Sequence, residues 1–95
     1  MKRFRWNNDK NEQLKRGRGV SFEEVVLSIE AGALLDILDH KNPTRYPEQK
    51  IFVVRIGDYV YLVPFVEDDK EVFLKTIIPS RKATRDYLSE SDSNE

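Results

Sequence analysis

Ile51-Phe52-Val53-Val54-Arg55-Ile56-Gly57-Asp58-Tyr59-Val60-Tyr61-Leu62-Val63-Pro64-Phe65-Val66 is the stretch on which the fold turns. Two runs rich in β-branched and aromatic residues flank Gly57-Asp58, a pair that suits a two-residue hairpin turn and sets Ile56 opposite Tyr59. A second polar turn, centred on Asp68-Asp69, sets Glu67 opposite Lys70 and leads into a strand over residues 72–78. Side chains alternate across a sheet, so one face of this meander carries Phe52, Val54, Ile56, Tyr59, Tyr61, Val63, Phe65, Val72, Leu74 and Ile78. The other carries Arg55, Val60, Leu62, Pro64, Glu71, Phe73 and Lys75. The first face is apolar and predicts a core beneath the helices; the second is mixed and predicts an open sheet face. Pro64 inside a strand predicts an edge position or a bulge.

Upstream, the period changes from two to that of a helix. Asn7 suits the cap of a surface helix running to about Arg16 and ended by Gly17 and Gly19. Ser21-Phe22-Glu23-Glu24 reads as a capping box, and Phe22, Val25, Val26 and Ile29 follow at helical spacing as far as Gly32. Phe4-Arg5-Trp6 suggests a short strand, Leu34-Leu35-Asp36-Ile37-Leu38 another, and residues 40–48 a loop. Downstream, Ile78-Pro79-Ser80 stops the last strand, and Ser80 is placed to cap a short C-terminal helix. The expectation is an α+β domain over residues 1–88, with two N-terminal helices packed on a small antiparallel sheet of about four strands. Residues 89–95 are acidic and of low complexity, and read as a disordered tail.

Composition narrows the chemistry. The 95 residues include no cysteine, which excludes disulfides, thiolate metal sites and cysteine nucleophiles and fits a reducing cytoplasm. No apolar stretch approaches the ~20 residues that cross a membrane, so no membrane partner is expected. The net charge of −1 hides an asymmetry. Lys2, Arg3, Arg5, Lys10, Lys15, Arg16 and Arg18 lie near the start, and Asp86, Glu90, Asp92 and Glu95 close the chain. Without its tail the body is basic, which favours a polyanion such as nucleic acid.

The candidate site is the joint that carries Ser80, Arg81, Lys82 and Arg85. Three cations within one and a half turns of a helix start, beside a hydroxyl, suit a phosphate; a solvated basic helix face explains the same residues. Arg55 and Lys75 fall on the face expected to be open. His40 is the single histidine and lacks a ligand partner at metal spacing, so no metal or other cofactor is expected. Gly17-Arg18-Gly19 has neither the preceding strand nor the spacing of a phosphate loop. Metal-independent RNA cleavage needs few parts: a base for the 2′-hydroxyl, cations for the phosphoryl charge and an acid for the leaving 5′-oxygen. Arg55, Lys75, Arg81 and Arg85 can supply the cations, with Lys82 and Ser80 binding RNA, and His40 suits the acid or base by its ordinary pKa. Tyr46, Tyr59 and Tyr61 are candidates for stacking on bases, although the register turns Tyr59 and Tyr61 toward the core.

These residues also carry a family resemblance. Phe4-Arg5-Trp6-Asn7-Asn8-Asp9-Lys10, followed by Gly19-Val20-Ser21-Phe22-Glu23-Glu24-Val25, resembles the opening of BrnT-family toxins. Those read Phe-x-Trp-Asp-x-x-Lys and then Gly-Val/Ile-Ser-Phe-Glu-Glu-Ala. Ile77-Ile78-Pro79-Ser80-Arg81-Lys82-Ala83-Thr84 is similar to the family's Ile-Ile-Ser-Ala-Arg-Arg-Ala-Thr, and Asp39-His40 sits where the family often has Asp-x-Asp-His. The ordered set covers residues 4–88. The resemblance implies a RelE/ParE-like fold and a ribonuclease toxin of a type II toxin–antitoxin pair that inhibits translation. It also implies a cognate antitoxin of ribbon-helix-helix type, bound as a hetero-oligomer and reaching operator DNA through the antitoxin. Arg81 is the residue that carries over best, with Lys82 at the next basic position. Where the family often reads Lys-His-Gly, this chain has Gly17-Arg18-Gly19, so a role for that histidine does not carry over. A non-catalytic module that binds nucleic acid or a protein through the same basic surface is the alternative.

Overall fold

The computed structural model describes residues 2–39 and 49–93, with side chains as far as Leu88. Its central hairpin pairs β3 (Lys50–Ile56) with β4 (Tyr59–Glu67), and Ile56 faces Tyr59 across the turn. Gly57 has φ 64 and, among the described residues, none other than glycine has positive φ, so Asp58 does not, which is the pattern of a type II′ turn. A side chain at position 57 would be strained there.

The second turn is wider than the sequence suggests. Glu67 faces Val72 of β5 (Glu71–Leu74), not Lys70. Asp68 holds this turn: its Oδ1 accepts from the N–H groups of Lys70 (2.8 Å) and Glu71 (2.9 Å). Those two donors, the Lys70 N–H first, hold the Asp68 carboxyl below its ordinary pKa. The register moves by two residues, so the faces do not exchange, and Val72 and Leu74 still point into the core.

The expected sheet of about four antiparallel strands is corrected: the sheet has six strands and is mixed. β1 (Arg3–Arg5) lies parallel to β5, with Phe4 beside Val72. β2 (Leu34–Asp39) lies antiparallel to β3, with an irregularity between Leu34 and Asp36. The order is β1-β5-β4-β3-β2, and β6 (Ile78–Pro79) pairs with β4 beyond the point where β5 stops. Pro64 explains the split. It lies on β4 between the residues paired with β5 (Phe65, Val66, Glu67) and those paired with β6 (Tyr61, Leu62). The Pro64 carbonyl accepts from Lys75 N–H at 2.8 Å, but the proline has no N–H to return to Lys75, so the ladder with β5 ends there. The proline thus sits in an interior strand, at a gap between neighbours, and not at an edge.

Helices cover both faces. α1 (Asn8–Arg18) is capped by Asn7, whose side chain accepts from Lys10 N–H, and ends at Gly19 with φ 70. α2 (Phe22–Glu30) starts at the expected capping box: Ser21 Oγ accepts from Glu24 N–H, and Glu24 Oε1 accepts from Ser21 N–H at 2.9 Å. Under these helices lie Leu14, Val20, Phe22 and Val25, with Phe52, Val54, Val63, Phe65, Val72 and Leu74 from the sheet. Phe52 and Phe65 stack at 3.8 Å, and Trp6 stacks on Phe22 at 5.7 Å. Asn11, almost fully buried, links the two helices. Its Oδ1 accepts from Phe22 N–H and its Nδ2 donates to Glu23 Oε1, both at 2.8 Å.

The second sheet face is not open along its centre. α3 (Arg81–Ser93) packs on it, burying Val53, Val60 and Ala83 with Leu62, Tyr87 and Leu88 around them. α3 runs on through Ser93, into the stretch read as an acidic tail. Ile78 is likewise corrected: it stands 40% exposed opposite Leu62, and Ile77 takes the core position. No helix among the described residues is long and apolar enough to cross a membrane.

Candidate functional site

The joint between β6 and α3 is fixed from both sides of the sheet. Ser80 N–H bonds the Val60 carbonyl at 3.1 Å. Val60 N–H returns to Thr84 Oγ1 at 2.9 Å, and the Thr84 hydroxyl donates to the Ser80 carbonyl at 2.7 Å. Ser80 Oγ accepts from Ala83 N–H at 3.0 Å, so this hydroxyl is the cap of α3. From the other side, the Arg18 guanidinium at the end of α1 donates to the Ile77 carbonyl. The backbone entering α3 is therefore held on a rigid frame.

Helical spacing sorts the side chains of α3. Ala83, Thr84 and Tyr87 face the sheet. Lys82 and Asp86 lie on one flank, lining a groove with Leu38, Val53 and Leu62. Arg81 and Arg85, four residues apart, share the opposite flank and are both exposed. Arg85 Nε stands 3.7 Å from Asp86 Oδ1. The first turn of α3 contains no acid. Its cations add to the positive end of the helix dipole, so the joint is electropositive on two counts.

The sequence-predicted residues do not all converge. Arg55 pairs across the hairpin with Val60 and so lies one strand from the joint. Its guanidinium bends back over the turn, with Nε donating to the Gly57 carbonyl at 2.9 Å and Nη2 4.0 Å from Asp58. Lys75 lies beside Pro64, and its Nζ reaches Gln49 Oε1 at 3.4 Å. Pro64 is four residues along β4 from Val60, about 13 Å at the rise of a strand, so Lys75 is set apart from the joint. His40 and Tyr46 lie outside the described residues. Tyr59 and Tyr61 meet edge to face at 5.6 Å, and Tyr61 packs on the core. Stacking on bases is not what Tyr61 does in this arrangement.

Arg18 is the residue that sequence reasoning missed. Gly17-Arg18-Gly19 reads locally as a helix end and not as a phosphate loop, and neither reading gives Arg18 a partner. The one available signal was that this arginine stands where the resembling family often has histidine, and nothing local predicted that α1 would end beside Ile77. The arrangement can hold an anion through Arg81 and Arg85, with Lys82 on the other flank of the helix and the frame fixed by Ser80, Thr84 and Arg18. Among the described residues no group of three or more His, Asp and Glu is placed to hold a metal ion. The chain matches no protein-family model, no curated protein and no solved structure.

Proposed function

We propose that the protein is the toxin of a two-component toxin–antitoxin pair, acting in the cytoplasm as a metal-independent endoribonuclease that inhibits translation. A cognate DNA-binding antitoxin would neutralise it and carry the complex to operator DNA. The observation that carries this reading is the joint: an all-cationic helix start held on a frame bonded from both sheet faces. In this mechanism the RNA 2′-hydroxyl loses its proton and its oxygen attacks the adjacent phosphorus. The bond to the 5′-oxygen breaks, and that oxygen takes up a proton. Arg81 and Arg85 stabilise the charge that grows on the phosphoryl oxygens, Lys82 binds the neighbouring backbone, and His40 is the proton carrier. Lys75 is dropped from the set because of its distance from the joint.

The test is expression of the protein alone in bacteria. Growth arrest with RNA fragmentation is expected, and Arg81→Ala relieves both. Intact RNA and normal growth with the unaltered protein overturn the reading. A second reading, binding without cleavage, is favoured by one observation: the joint's hydroxyls, those of Ser80 and Thr84, are both engaged in holding the helix. RNA binding that weakens steeply with salt while the RNA stays whole would select it.

A further inference from the structure

The two edges of the sheet are built differently. β1 is short, and ion pairs line it: Lys2 with Glu67 at 2.9 Å, and Arg5 with Glu71 at 3.1 Å. β2 is longer and apolar, with Leu35, Ile37 and Leu38 exposed by 37%, 50% and 37%. Among the described residues it pairs only with β3.

The direction of the β2 backbone follows from β3. Arg55 N–H bonds the Ala33 carbonyl, so residues 51, 53 and 55 turn their groups toward β2. Asp36 and Leu38, opposite Val53 and Ile51, answer them, and Ile37 and Asp39 turn theirs outward. The outward N–H of Ile37 is already taken: Asp36 Oδ1 accepts it at 2.8 Å. Asp36 Oδ2 accepts from the Tyr87 hydroxyl at 2.9 Å. One carboxylate covers the edge and also holds the middle of α3. Beside it runs the groove of ≈ 430 Å³ that Leu38, Leu62, Lys82 and Asp86 line.

We propose that the β2 edge accepts an extended segment of a partner protein in which apolar and cationic residues alternate, and that its arrival is coupled through Asp36 to the seating of α3. A strand laid on β2 takes the Ile37 N–H for its own carbonyl, so Asp36 must leave both the edge and Tyr87. The released carboxylate meets a cation of the incoming strand. On the groove side, a long cationic side chain lays its stem over Leu38 and Leu62 and brings its head to Asp86. A second copy of β2 would bring its own Asp36 and Asp39 to an edge that carries both, so charge selects a basic partner over self-pairing. This inference is independent of what the joint binds.

The test titrates the full-length, isotope-labelled protein with a capped octapeptide of alternating valine and lysine, and with a valine–glutamate counterpart. Binding of the first should shift the Ile37, Asp39 and Tyr87 amide signals and slow hydrogen exchange at Ile37 and Asp39. The glutamate peptide should not bind. Tyr87→Phe leaves the edge intact and removes a bond the incoming strand must break, so the lysine peptide should bind it about fivefold more tightly. Unshifted Ile37 and Asp39 signals, equal binding of both peptides, or unchanged affinity in Tyr87→Phe overturns the proposal. So does a concentration-dependent dimer that protects the same amides without peptide, which assigns the edge to a second copy.

Discussion

The two helical layers of this protein obey the same physics to opposite ends. In the α1–α2 layer most terminal charges suit their places, Lys10 in the first turn of α1 and Glu30 at the end of α2 excepted. Asp9 opens α1, Lys15, Arg16 and Arg18 close it, and Glu23 and Glu24 open α2. That layer covers the larger core, with Phe22 and Val25 fully buried. α3 does the reverse: cations open it, and among its described residues only Ala83 is buried, with Val53 and Val60. A helix whose charges oppose its dipole gives up stability, and what it gains is a fixed positive site. One layer holds the molecule together; the other presents a surface.

The contrast can be broken most sharply in the core. Phe22→Ala should cost about 3–5 kcal/mol, read as a loss in urea-unfolding free energy, since the ring is fully buried and stacked on Trp6. A comparable loss from Ala83→Gly would contradict the claim that α3 contributes the smaller core. Asn11→Ala should cost about 1–3 kcal/mol, because Phe22 N–H is left buried without its acceptor.

The same clip makes stability pH-dependent. The Asn11 amide is the main reason that Glu23 titrates below its ordinary value of 4.5, with backbone hydrogen bonding second. A carboxyl with a lowered native pKa binds protons more readily when unfolded. Its stabilisation is complete above pH 4.5 and fades as the pH falls through the lower native value. Unfolding curves taken from pH 7 down to pH 3 should show this fall, and Asn11→Ala should reduce it. Ser80→Ala should cost about 1 kcal/mol through the lost cap and leave the α1–α2 layer unchanged by amide exchange. The smallest effect has the opposite sign. Arg81→Glu should stabilise the fold by about 0.3–1 kcal/mol at low salt while weakening the RNA binding proposed above. If it destabilises the fold, the idea that α3 is charged against its own dipole fails.

Local chemistry was legible in the sequence, and long-range pairing was not. Gly57-Asp58 announces its turn, and Ser21 with Glu24 announces a helix start, because each is decided by neighbours a few residues apart. The Asp68 turn misled by two residues because the carboxylate, not the backbone alone, sets its width. β1 carries too few residues to advertise a partner, and its parallel neighbour β5 lies at the far end of the chain. Pro64 signals an edge or a bulge, yet only the positions of β5 and β6 show that it marks a gap. At the site, Arg81 and Arg85 were legible from helical spacing. The separation of Lys75 and the arrival of Arg18 depend on tertiary packing, which no local pattern encodes.

The parallel seat of β1 on β5 also bears on how the chain is made. Phe22 leaves the ribosome long before Leu74 and Ile77, the last residues of the core it joins. At about 5–20 residues per second, the interval of roughly 50 residues leaves the apolar side of α2 uncovered for on the order of several seconds. β1 waits as long for its place beside β5, so a strand synthesised well before its partner is among the last to dock. A fusion placed on the N-terminus should therefore burden the final step of folding, whereas one on the C-terminus, past α3, should leave it untouched.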